Sequence, residues 1–162
     1  MNWRVELGCF GEKAARQFMR EQGFVILKRL LFPKVKPWPF FSNVPPTYEE
    51  KLAEWEDYQA QHKKFIEALR PHLNEEDVRV LALACENRIS FDFAVFDKDV
   101  LGSGGHIALV EVKTNKSFLR SNQKRMLGLA KEFLIVVYLV HVRAEETPEG
   151  FTVRNIDWKR IA

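Results

Sequence analysis

The chain has 162 residues, 46% of them apolar and 29% charged, a balance that allows one domain with a real hydrophobic core. Its net charge of +3 permits a polyanionic partner without requiring one. No apolar run nears the roughly 20 residues that span a bilayer, the N-terminus lacks the apolar stretch of a secretory signal, and the two cysteines, Cys9 and Cys85, lie among apolar neighbours without CxxC spacing. The expectation is a cytoplasmic protein with reduced thiols, no zinc site and no membrane partner.

In chain order, the first 22 residues read as an amphipathic helix. Leu7, Phe10, Ala14 and Phe18 recur at spacings of three and four, which places them on one face. Gly8 and Gly11 lie on or beside that face and suggest close approach to another backbone. Gly23 is positioned to end the helix, and Phe24 to Phe32 reads as a strand. Five of the seven prolines then fall between Pro33 and Pro46, mixed with Trp38, Phe40 and Phe41, so this stretch is extended or turn-rich.

Thr47 and Glu50 form a capping-box signature. Leu52, Trp55, His62, Ile66 and Leu69 give the helix that follows an apolar stripe ending at Pro71. Asn74, followed by three acidic residues, starts another helix. Val78 to Cys85 fits helical spacing, with a strand as the alternative. Ile89 to Phe96 reads as a strand, 97–105 as a polar glycine-rich turn, and His106 to Thr114 as a second strand antiparallel to the first. Ser121 to Lys131 reads as a helix with Met126, Leu127 and Ala130 inward. Phe133 to Val142 is a buried strand and Phe151 to Ile156 a short closing strand. This order predicts an α/β domain over 1–162, a mixed sheet with helices on both faces, carrying an inserted helical arm at about 33–87.

The chemistry concentrates in the second half. Asp92 interrupts an apolar strand, where an unpaired carboxylate is expensive to bury. Strand side chains alternate, so Glu111 and Lys113 share one face while Val112 takes the other. A hairpin around 97–105 would set Asp92 beside Glu111. Two adjacent carboxylates repel unless a cation lies between them, and hard oxygen ligands suit Mg²⁺. A neighbouring lysine can orient or activate water and offset phosphate charge. The same residues also fit a surface hairpin with a cross-strand Glu–Lys pair.

Three further features bear on that choice. Glu12 borders the buried face of the first helix. Gln123 starts the helix that follows the Glu-Val-Lys strand, and helix N-termini favour phosphate. Lys116, Arg120, Lys124 and Arg125 form a basic group suited to a nucleic-acid backbone.

Together these residues resemble the PD-(D/E)XK nuclease superfamily. The run from Gly8 to Phe24, with Gly8-x-x-Gly11-Glu12-x-x-Ala15 and then Gly23-Phe24, resembles the opening helix of its archaeal Holliday junction resolvase-like branch. Asp92, Glu111-x-Lys113 and Gln123 follow in that family's order. The resemblance covers residues 6–30 and 88–142. It implies a restriction-endonuclease-like fold and a DNA endonuclease acting at branched or junction DNA in repair or recombination. Mg²⁺ or Mn²⁺ would be held by Asp92, Glu111 and Val112, with Glu12 contributing directly or through water. Lys113 would act on the attacking water, and Gln123 would sit near the scissile phosphate. The resemblance further implies a two-fold homodimer, for which the inserted segment, with Trp55 and Tyr58 beside its stripe, offers apolar surface.

The sequence departs from the family in the length of 33–87 and in having Phe91 before Asp92. The residues leave open a catalytically silent DNA-binding or assembly module of the same fold, and an RNA-directed endonuclease. The Trp38-Pro-Phe-Phe segment reads either as a core or interface cover or as a base-stacking element.

Overall fold

The structure, a computed structural model, describes residues 2–27, 70–96 and 107–162, together with residues 49, 52, 56, 60, 63, 64, 66 and 67. Helix α1 (Trp3–Glu21) is followed by strand β1 (Val25–Leu27), helix α2 (Glu75–Glu86), strands β2 (Phe93–Phe96) and β3 (Ile107–Thr114), helix α3 (Ser121–Glu132), and strands β4 (Val137–Thr147) and β5 (Gly150–Arg160). The five strands form one mixed sheet in the order β1-β2-β3-β4-β5. The first three are antiparallel neighbours, β4 runs parallel to β3, and β5 returns antiparallel to β4. The parallel step needs a crossover, and α3 supplies it.

Alternation along β3 sorts the two sides. Ala108, Val110 and Val112 pack with Ala15 and Met19 of α1, alongside Phe93, Val95, Val140 and Val142. Ile107 and Leu109 face the other way, into a core built from Val80, Leu81 and Ala84 of α2 and Met126 and Ala130 of α3. Helices therefore cover both faces, as the element order predicts.

The seat of α1 is narrower than its apolar stripe suggests. Gly11, Ala15 and Met19 are buried, whereas Leu7, Phe10, Ala14 and Phe18 are half-buried flanks. A Cβ on Gly11 would lie 2.1 Å from the Thr114 hydroxyl, so the helix crosses the end of β3 where only glycine fits. Gly8 has open space instead. The large side chains grip the sides: Phe10 meets Phe151, and Phe18 meets Trp158. Cys9 is exposed, not apolar in its surroundings as its sequence neighbours imply.

Several element bounds shift, the end of β4 among them, at Thr147 rather than Val142. Residues 75–86 are helix, which resolves the helix–strand choice. Asn74 caps it: its side-chain oxygen accepts from the Asp77 N–H at 2.8 Å, and the Asp77 carboxylate accepts from the Asn74 N–H at 3.2 Å. The buried Asp77 also accepts from the Ile107 N–H at 3.1 Å, tying α2 to the start of β3. Much of the supposed arm's end is therefore core.

Strand β2 starts at Phe93 rather than Ile89, and β4 starts at Val137 rather than Phe133. In both places the chain first leaves a helix through a non-glycine residue at positive φ, Arg88 at 52° and Leu134 at 57°. The closing bonds are Ile89 N–H to Ala84 O and Ile135 N–H to Ala130 O, each 2.8 Å, the 6→1 bond of a Schellman end. Strand β5 runs to Arg160, because its pairing continues along β4 past a bulge at Arg143/Ala144.

Glu49, Leu52, Glu56, Ala60, Lys63, Lys64, Ile66 and Glu67 are helical. Ile66 joins the α2–α3 core while Leu52 is exposed. The proline–aromatic stretch, Trp55, Tyr58, His62, Leu69 and the 97–105 turn lie outside the described residues. Among the described residues no helix is long and apolar enough to cross a membrane.

Candidate functional site

The site is built where β2 stops covering β3. The last ladder pair is Phe93 with Val110. One step further, Asp92 has left the strand, and its Oδ2 accepts from the Val112 N–H at 2.7 Å. The carboxylate takes the place of the missing backbone acceptor, which is why Asp92 sits just outside a strand that its sequence neighbours would extend. In a strand the N–H and C=O of one residue point to the same side. The Val112 carbonyl therefore projects towards Asp92, beyond the start of β2.

Glu111 and Lys113 share the α3 face of β3, as alternation requires. Glu111 is buried, and Lys113 Nζ lies 3.0 Å from its Oε1. Burial pushes the Glu111 carboxyl up to about 7, and the facing Asp92 adds to the rise; Lys113 opposes it. Gln123 completes the group from the first turn of α3. Its Nε2 donates to Glu111 Oε1, and its Oε1 accepts from Lys113 Nζ and from the Arg120 N–H, both at 2.8 Å. Gln123 is thus at once a helix-capping residue and a member of the polar group.

Asp92, Glu111, Lys113 and Gln123, expected together from the sequence, are brought together. Glu12 is different. Gly11 against Thr114 brings that part of α1 to the end of β3, but α1 covers the face opposite to Glu111 and Lys113. Glu12 is half-buried and pairs with Arg16 one turn on, at 3.6 Å. Lys116, Arg120, Lys124 and Arg125 are all exposed around the start of α3. Arg125 donates to the Asn122 side-chain oxygen at 3.2 Å.

The turn after β3 is a part the sequence reading missed. Asn115 adopts φ 53°; its side-chain oxygen accepts from the Ala144 N–H at 2.8 Å, and its carbonyl meets the His141 ring. Ser117 Oγ donates to Thr114 O at 2.8 Å, and the Thr114 N–H is 3.2 Å from the same hydroxyl. The signal was the run Thr-Asn-Lys-Ser, since asparagine tolerates left-handed backbone and serine closes local turns.

The donor set fits a hard divalent cation in kind: two carboxylates, one of them held up in pKa by burial and by the other's charge, and a carbonyl on the same strand edge. Its number is small. Among the described residues no three Asp, Glu, His or Cys side chains converge, so water or substrate oxygens would have to fill the remaining positions, as Mg²⁺ commonly allows. No family model, curated protein or solved structure matches the chain.

Proposed function

We propose that this chain is a metal-dependent endonuclease of the PD-(D/E)XK kind, hydrolysing DNA phosphodiester bonds. The observation that carries the reading is the facing pair Asp92 and Glu111, with Lys113 and Gln123 bonded to Glu111 on the same face. The order of parts supports it. An opening helix, three antiparallel neighbouring strands with Asp just before the second and Glu-x-Lys on the third, and a helical crossover to a parallel strand agree with a restriction-endonuclease-like fold.

In this reading Asp92, Glu111 and the Val112 carbonyl hold Mg²⁺ or Mn²⁺. The cation supplies charge stabilisation at the phosphate and a more acidic water. The Lys113 ammonium orients the attacking water and offsets charge on the phosphate as the new P–O bond forms and the old one breaks. Gln123 fixes Lys113 and Glu111 in mutual register. Lys116, Arg120, Lys124 and Arg125 receive the DNA backbone. Homodimerisation through the 33–87 segment belongs to the same proposal; Leu52, exposed there, supports it.

A second reading is a catalytically silent DNA-binding module of the same fold. Calorimetric titration of Mn²⁺, paired with a plasmid cleavage assay, separates the two. Asp92→Asn and Glu111→Gln lose Mn²⁺ uptake and reduce cleavage by about 100-fold or more. Lys113→Ala loses cleavage but retains Mn²⁺ uptake, because it is no ligand. Equal uptake by wild type and Glu111→Gln moves the metal site elsewhere and leaves the silent module as the better account.

A further inference from the structure

We propose that Phe118 is a base-stacking side chain that selects nucleic acid with an unpaired base next to the scissile phosphate; this rests on the nuclease reading above. Phe118 is 82% exposed, the most exposed of the large apolar side chains described. An aromatic ring in water forgoes roughly 2–3 kcal/mol of burial. The described aromatic pairs lie around α1, β4 and β5, away from this loop.

The loop that carries the ring is held at both ends. Behind it, Asn115 is bonded to Ala144 and His141, and Ser117 to Thr114. Ahead of it, the Arg120 N–H is bonded to Gln123. The ring is therefore presented by a fixed segment, at low cost in ordering on binding.

Its neighbours name the ligand. Lys116 and Arg120 flank it two residues away on either side, and Lys124 follows on the next helical turn, all exposed. An apolar ring between cations suits a polyanion with a flat apolar part. Phosphates pair with the cations, and a base lies on the ring. Phe118 lies five positions after Lys113, at most about 18 Å of chain, so the stacked base belongs to the nucleotides around the reacting phosphate. Within a duplex the bases already stack on one another and a backbone-reading site meets only phosphate and sugar. Only an unstacked base, in a single strand, a frayed end or a branch, offers a free face.

The test measures binding in chelator, so it needs no cleavage. An oligonucleotide carrying 2-aminopurine is presented as a single strand and as a duplex to wild type, Phe118→Ala, Phe118→Trp and the Lys116→Gln/Arg120→Gln double variant. Wild type should prefer the single strand and quench its fluorescence. Phe118→Ala should lose about tenfold or more in single-strand affinity, together with the quenching, and leave duplex affinity unchanged. Phe118→Trp should keep both. The double cation variant should weaken both ligands alike. If Phe118→Ala affects the two ligands equally, or neither, the stacking role is wrong while the nuclease reading stands. If wild type binds neither ligand, both fall.

Discussion

The two faces of β3 use the same backbone to opposite ends. Towards α1, Ala108, Val110 and Val112 stay apolar along the strand, and the helix comes so close that Gly11 meets Thr114 directly. Towards α2 and α3, Ile107 and Leu109 continue the core for half the strand, and then Glu111 and Lys113 replace it. A strand that existed only to be packed would finish both faces alike. Burying Glu111 next to Asp92 works against the fold, since an apolar pair of similar size would commonly be as stable or more so. The α1 face is what tolerates that burden, by supplying packing that the polar end of the other face does not.

The largest expected effect that sharpens this contrast is on stability against pH. The Glu111 carboxyl is held near 7 in the fold against an ordinary value of 4.5. The folded state therefore keeps its proton more tightly than the unfolded chain does. That contribution is fully present below about 4.5 and is lost as pH rises through about 7. Metal-free protein should lose up to about 3 kcal/mol between pH 5 and pH 8 through this group, and Glu111→Gln should remove that slope. Urea unfolding of both proteins in chelator at the two pH values checks it; parallel slopes would mean that Glu111 is not the strained member of the pair.

A smaller effect probes the opposite face. Gly11→Ala pushes a methyl group into the Thr114 side chain and should cost about 1–3 kcal/mol, read as a lower midpoint in the same urea curves. The smallest effect is its control, Gly8→Ala. It has open space at the same helix and should gain about 0.5–1 kcal/mol from helix propensity alone. Equal responses at the two glycines would dissolve the distinction between a close-packed and an open part of α1.

The sequence carried the site better than it carried the seating of α1. Glu111 and Lys113 stand out because charge interrupts a run of β-branched and aliphatic residues, and period-two alternation leaves no choice about which face they share. Asp92 is legible by the same contrast, although not its departure from the ladder, which follows from a side-chain bond to the Val112 N–H across 20 residues of sequence. The α1 stripe misled because size and burial differ: at a tight crossing the deepest positions go to Gly11, Ala15 and Met19, and the larger Phe10 and Phe18 are displaced to the rim. The ends at Arg88 and Leu134 were hidden because they lack the glycine that marks the same motif at Gly23, where φ is 95°. Glu12 was legible as a border residue of the buried face of α1, and it is half-buried there.

Gln123 joins the start of α3 to Glu111 and Lys113 through a single amide. Fraying of that first turn and loosening of the site are thus one event seen from two ends. Any ligand that holds Glu111 and Lys113 in place must slow solvent exchange at the Arg120 amide, which ligand and helix share through Gln123. By the same linkage, whatever steadies the helix start from outside, a phosphate resting on its free N–H groups included, pre-orders the site for the second ligand. Substrate and cation would then each favour the other's arrival without any movement of the sheet.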